Sequence, residues 1–274
     1  MGMKGVRGSG LVVLGKDARL VTAAQILYQA GWVPLPPEKI REAQVVLMGT
    51  PTPSLEPFAA QLVQLSAGVP VFAGAVSAQA QQQAAALGLA LVDYMESEEL
   101  ALFNAVPTAE GAIAILLNAT PEMLWRSRAL LVGYGRIARV LAPRLMALGV
   151  QVTVAARRSA ARMQARTMGC DTVDIDALPD AAAQTQFLIN TVPYRLVTEE
   201  TLTALPPDAF VLELAGTPGG VDLAAAQRLN VRVQTAPGLP GKCAPAAAGR
   251  GVGYTVVKYL NEHGFDAADP EEKE

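Results

Sequence analysis

The chain has 274 residues, 51% hydrophobic and 17% charged, with a formal net charge of -3 from 22 Lys and Arg against 25 Asp and Glu. That length and apolar content suit two buried cores, and the lack of a basic field or of cationic clusters interleaved with aromatics sets nucleic acid aside. The two cysteines, Cys170 and Cys243, lie far apart without metal-ligand spacing, and the sole histidine, His263, sits before an acidic tail. Disulfide frameworks, metal sites and histidine bases are therefore not expected.

The N-terminus "MGMKGVRGSG" is polar and glycine-rich, unlike a secretory signal, and runs into a strand-like segment. No uncharged apolar run reaches the roughly 18 residues of a membrane span, so a soluble cytoplasmic protein is expected. Through the first third, residues 10–15, 45–49, 69–74 and 89–94 read as strands. Between them "DARLVTAAQILYQAG" and "PFAAQLVQLSAG" repeat apolar residues at helical spacing and stop at glycine. Continuous apolar strands separated by helices imply a parallel sheet covered on both faces.

Residues 104–120, "NAVPTAEGAIAILLNAT", carry a proline near a first helical turn and continue as a long apolar connector helix. A second unit opens at Leu130, with strands near 130–132, 152–155, 187–190, 210–214 and 231–235, and a last helix over about 244–261 returns to the first domain. The expected fold is α/β, with two Rossmann-like parallel-sheet domains joined by a long helix. The first comprises 1–120 with about 244–265, and the second 121–243.

"GYGRIA" places Gly133, Gly135 and Ala138 in a G-x-G-x-x-A pattern between an apolar strand and a helix, with Arg136 and Ile137 at the helix start. Glycine there permits a tight turn and close backbone approach to a pyrophosphate held by helix N–H groups. The ribose position falls near Ala156, 23 residues beyond Gly133, and is followed by Arg157, Arg158 and Ser159. An acidic residue there would accept from the ribose hydroxyl of NAD, whereas arginine and serine donate to a 2′-phosphate, so the expected cofactor is NADP. A solvated helix start is the alternative for these arginines.

Two further strands end in turns, "LINTVP" and "LELAGTPGG", which puts Asn190, Thr191, Pro193 and Ala215 on the rim of the nucleotide crevice. Turn chemistry alone also accounts for them. "APGLPGKCAP", before the last helix, fixes backbone through Gly238 and Gly241 either as a hinge or as the wall of an interdomain cleft.

These segments together resemble the A subunits of dipicolinate synthase, enzymes of endospore-forming bacteria. The resemblance runs from "GKDAR" through "LFNAVPTAEGAI", "VGYGRIA", "AARRSA", "INTVP" and "LELAGTPGGVD" to "APGLPGKCAP", nearly the whole chain. It implies NADP at Gly133, Gly135, Arg157 and Ser159, and conversion of 4-hydroxytetrahydrodipicolinate to dipicolinate by dehydration and aromatising oxidation. It also implies a partner, the flavoprotein-like B subunit, together with a place in the cytoplasm of the mother cell of a sporulating bacterium.

A dicarboxylate substrate calls for cationic or N–H donors. Arg19, beside Asp17 in "GKDAR", is the first candidate, with Ser77, Asn104, Thr108, Gly238 and Gly241 as further substrate contacts. Glu110 and Asp17 are the candidate proton carriers, and a helix cap or structural pair is the competing reading for Asp17, Arg19 and Glu110. The chain departs from the family near Gly216-Thr217 and at Ala246-Ala247, where backbone contacts and Lys242 remain. Two other functions fit the same outline: a dehydrogenase of another small hydroxy or keto acid, and an NADP-binding scaffold for a flavoprotein subunit.

Overall fold

The computed structural model describes residues 9–265. They divide into two compact units, one running to Asn104 and resuming at Ala244, the other Ala105–Cys243. The first unit is built on β1 (Gly10–Leu14), β2 (Val33–Leu35), β3 (Ala43–Met48), β4 (Pro70–Ala73) and β5 (Ala90–Asp93), paired in parallel in the order β2-β1-β3-β4-β5. Leu11, Val45 and Leu47 are buried on one face and Val12, Val46 and Val71 on the other. Such double burial is why these strands read as unbroken apolar runs.

Three helices follow in this unit: α1 (Arg19–Gln29), α2 (Ala59–Leu62) and α3 (Ala78–Ala86). The long helix expected over "PFAAQLVQLSAG" is only the four-residue α2 behind a 3-10 turn, Glu56–Phe58. Within α2 only Leu62 is buried, and Val63 just beyond it is exposed. Tertiary burial, which sustains most helices, is missing there. Strand β2 carried no sequence signal because it is a short, mostly exposed edge, the place where Pro34 is tolerated.

Helix α4 (Glu98–Ala119) starts earlier than expected and holds Pro107 in its interior. Its start is signalled by Ser97, whose Oγ accepts from the Leu100 N–H, and by Glu98 and Glu99 in the first turn. By length and composition α4 alone among the described helices could cross a membrane. Yet Leu100 lies in the core of the first unit, and Ala109, Ala112 and Leu116 in that of the second. The division between units falls within this helix.

The second unit carries β6 (Arg128–Val132), β7 (Gln151–Ala155), β8 (Asp171–Val173), β9 (Phe187–Asn190), β10 (Phe210–Glu213) and β11 (Arg232–Thr235), parallel in the order β11-β10-β9-β6-β7-β8. The connections reverse direction at β6, so the strand ends around β6 and β9 form a switch point, where open α/β sheets bind ligands. Helices α5 (Arg136–Ala147), α6 (Ser159–Thr167), α7 (Leu178–Ala182), α8 (Glu199–Ala204), α9 (Leu223–Arg228) and α10 (Leu239–Cys243) complete it. Residues of β6 alternate between two cores, Leu131 in one and Leu130 and Val132 in the other.

The last helix, α11 (Pro245–Glu262), belongs to the first unit and packs on α1. Glycine sets that contact, since a Cβ on Gly249 would fall 2.3 Å from the Arg19 carbonyl oxygen and one on Gly253 2.7 Å from Ile26 Cβ. A methyl at Gly249 would push the helices apart at a cost of about 1–3 kcal/mol.

Candidate functional site

The turn after β6 shows two different needs for glycine. Gly133 has φ of +90°, donates its N–H to the Ala155 carbonyl at 2.9 Å, and would place a Cβ 2.5 Å from Val192 Cγ2. Both backbone and neighbour therefore require it. Gly135, the N-cap of α5, has an ordinary φ of -91°, and a Cβ there would meet nothing within 4 Å. Nothing among the described residues demands glycine at 135, and its effect is to leave open the approach to the first-turn N–H groups of α5. Ala138, fully buried, lets α5 close on the sheet. Arg136 and Ile137 form the first turn of that helix.

At the end of β7, Ala156 is buried while Arg157, Arg158 and Ser159 are exposed at the start of α6. Among the described residues no carboxylate pairs with Arg157 or Arg158. Sequence reasoning missed Arg162, one helical turn on. Its guanidinium donates to the Ala156 and Arg157 carbonyls at 2.6 and 2.9 Å and pairs with Asp174 at 2.5 Å. Arg162 therefore braces the loop and leaves its two neighbours unengaged. Gly133, Gly135, Ala156, Arg157 and Arg158 together line a cavity of about 500 Å³, with Val192, Tyr194 and Leu196 on its other side.

The ends of β9 and β10 form that other side. Thr191 donates its hydroxyl to the Val132 carbonyl at 2.9 Å, and Pro193 is exposed. Asn190, expected on the crevice rim, is instead fully buried, its amide donating to Glu213 at 2.8 Å and to the Val192 carbonyl at 3.0 Å. Bonded in this way, the side chain supports the turn from beneath. Ala215 is buried and its N–H is held by Glu213.

In the first unit, Asp17, a candidate proton carrier, is held within its loop as a brace. Its carboxylate accepts from the backbone N–H groups of Arg19 and Thr50, both at 3.0 Å, and from the Arg19 guanidinium at 2.9 and 2.8 Å. Burial alone would raise its pKa, but the hydrogen bonds from Arg19 and Thr50 outweigh it and hold the carboxyl below its ordinary value. A carboxylate so held is a poor base. Arg19 also donates to the Thr50 carbonyl at 2.6 Å, while its Nη1 has no protein acceptor among the described residues.

Ser77, a candidate substrate contact, caps α3: its hydroxyl accepts from Ala80 N–H at 3.0 Å and donates to the Pro53 carbonyl at 2.6 Å. Asn104, Thr108 and Glu110 all lie on α4, but not together. Asn104 and Thr108 share a face at i, i+4, whereas Glu110 is turned about 200° from Thr108. Thr108 is buried and Glu110 exposed beside Cys243, whose thiol is pushed up in pKa by burial and by the Glu110 charge. Gly238 has φ of +68° before α10, and Gly241 lies within that helix.

His263 ends α11, stacked on Tyr259 with ring centroids 3.8 Å apart, and Cys170 is buried. Among the described residues no cluster of three or more His, Cys, Asp or Glu could hold a metal.

Residues 117–218 match the family of D-isomer specific 2-hydroxyacid dehydrogenase NAD binding domains, so the second unit carries a nicotinamide dinucleotide-binding domain. The A subunit of dipicolinate synthase from Bacillus subtilis (strain 168) is 32% identical over 192 residues, which is 70% of this chain and 65% of that relative's length. The crystal structure of the same subunit from Bacillus halodurans superposes with a TM-score of 0.86 at 25% identity, covering 92% of this chain and 98% of that one. The corresponding crystal structure from Bacillus subtilis gives 0.83 at 26% identity, covering 93% and 96%. In sequence and in the match over both sheets, the chain is similar to dipicolinate synthase A subunits.

Proposed function

We propose that this chain is an NADP-dependent oxidoreductase subunit that converts 4-hydroxytetrahydrodipicolinate to dipicolinate in the cytoplasm of a sporulating cell, working with a flavoprotein-like partner subunit. One observation carries the cofactor choice: Arg157 and Arg158 line the cavity where β7 ends, without a carboxylate partner among the described residues. Two guanidinium groups there suit a 2′-phosphate, and the open Gly135 suits a pyrophosphate at the N-terminus of α5.

In balance, the substrate loses its 4-hydroxyl with a ring proton as water, and the dihydro ring then loses a hydride and a proton to become aromatic. NADP⁺, when bound, supplies the hydride acceptor. The protein's part is to bind, orient and manage protons. Arg19 Nη1, held in plane by Asp17, is the proposed donor to one substrate carboxylate, with Asn104, Thr108 and the backbone at Gly238 and Gly241 as neutral contacts. Glu110 is the proposed proton acceptor.

Incubating the purified chain, with and without its partner subunit, with freshly generated 4-hydroxytetrahydrodipicolinate and NADP⁺ should yield the pyridine product together with NADPH. Absence of a pyridine product in both arms would sink the reading. The family match to 2-hydroxyacid dehydrogenases favours a second one, oxidation of another small hydroxy acid. NADPH formation with such an acid and none with the cyclic dicarboxylate would establish it.

A further inference from the structure

Glu213 ends β10 at 5% exposure, and no cation pairs with it among the described residues. A buried carboxylate without a countercharge persists only if hydrogen bonds replace its hydration. Here they do. Oε1 accepts from the Ala215 N–H and Asn190 Nδ2, both at 2.8 Å. Oε2 accepts from the N–H groups of Gly220 at 2.7 Å and Val221 at 2.9 Å, and from Asn190 Nδ2 at 3.0 Å.

The donors come from separate places: the end of β9, the residues after β10, and the turn that follows. Asn190 passes the constraint on, since its Nδ2 donates to the Val192 carbonyl and its Oδ1 accepts from the Val192 N–H at 3.2 Å. Val192 and Tyr194 line the cavity. Gly220 fits only as glycine, because a Cβ would fall 2.4 Å from both Asn190 Nδ2 and the Val192 carbonyl oxygen and 2.7 Å from that of Tyr194. Three segments thus converge on one buried charge.

We infer that Glu213 is a positioning residue for the dinucleotide site, an anionic peg that fixes the Val192–Tyr194 wall through Asn190 and the 215–221 turn directly. The inference rests on the reading of the cavity as a dinucleotide site. Glutamine cannot replace the peg, because in either amide orientation its NH₂ would face at least one backbone N–H, donor against donor. Charge-assisted bonds of this kind also hold their geometry more firmly than neutral ones.

The test combines amide hydrogen exchange on the unliganded full chain with calorimetric titration by NADP⁺ and NAD⁺. For Glu213→Gln, exchange at Val192, Ala215, Gly220 and Val221 should quicken about tenfold or more while the amides of β6 and β7 keep their rates. Affinity for both dinucleotides should fall about tenfold or more with their ratio unchanged, because Arg157 and Arg158 are untouched. Uniform quickening across the second unit would reduce Glu213 to a fold residue, and unchanged affinity would overturn its positioning role. Should Glu213→Gln not fold, Asn190→Ala keeps the three backbone bonds to the carboxylate and should quicken Val192 and weaken both dinucleotides. Unaltered Val192 exchange there overturns the inference. Wild-type protein that binds neither dinucleotide would defeat the cavity reading, whereas the exchange rates would still report on Glu213.

Discussion

After β1 the chain turns at Gly15 with φ of +111°, after β6 it turns at Gly133 with φ of +90°, and two residues beyond these glycines stand Asp17 in one unit and Gly135 in the other. Asp17 brings its own anion to the start of α1, where the Arg19 N–H, the Arg19 guanidinium and the Thr50 N–H satisfy it. Gly135 leaves the start of α5 open. Two sheets of one architecture thus treat the same helix end oppositely. A helix N-terminus favours negative charge, and whether the chain supplies it or leaves it to a ligand separates a braced loop from a binding loop.

The most forceful way to break this contrast is to give the second loop the first loop's residue. Gly135→Asp should fold with an unchanged melting temperature, because its φ is ordinary and its Cβ meets nothing. Dinucleotide affinity should fall by about a hundredfold or more as the carboxylate takes the pyrophosphate's place and repels it. Retained binding by calorimetry would place the dinucleotide elsewhere. Next in size, Arg157→Ala removes charge-assisted bonds worth roughly 1.5–3 kcal/mol. NADP⁺ affinity should drop about tenfold to a hundredfold with NAD⁺ spared, and equal losses for both would move the 2′-phosphate away from β7.

The smallest effect sharpens the other side. Asp17→Asn should lower stability by about 2 kcal/mol at pH 7 through loss of a partly buried, hydrogen-bonded charge. Because the folded pKa of Asp17 is depressed, its contribution is fully present above the ordinary value of about 3.9 and fades as pH falls through the lower, folded one. Denaturation curves of wild type and variant should therefore run apart at pH 5–8 and converge toward pH 3 and below. A gap independent of pH would mean the brace does not act through charge.

How much of this was legible follows the range of the interactions. The central strands of both sheets stood out because double-sided burial makes continuous apolar runs, and Gly133, Gly135, Ala138, Arg157 and Arg158 stood out because one turn imposes fixed spacing on them. Edges β2 and β8 bury too little to leave a pattern. Pro107 points to a first turn because proline is commoner there than in a helix interior, whereas the helix starts at the capping residues Ser97-Glu98-Glu99.

By itself, then, the sequence determined the α/β class, the place of the glycine turn after β6 and the pair of arginines beyond β7, all set by local periodicity or short spacing. Only the tertiary structure decided which polar side chains remain available. Asp17 and Ser77 are consumed within their loops, Asn190 is buried against Glu213, and Glu213 and Arg162 hold the walls of the cavity. Whether a polar group serves a ligand or the fold depends on which donors and acceptors it meets across tens of residues, and a linear pattern of residue types does not contain those meetings.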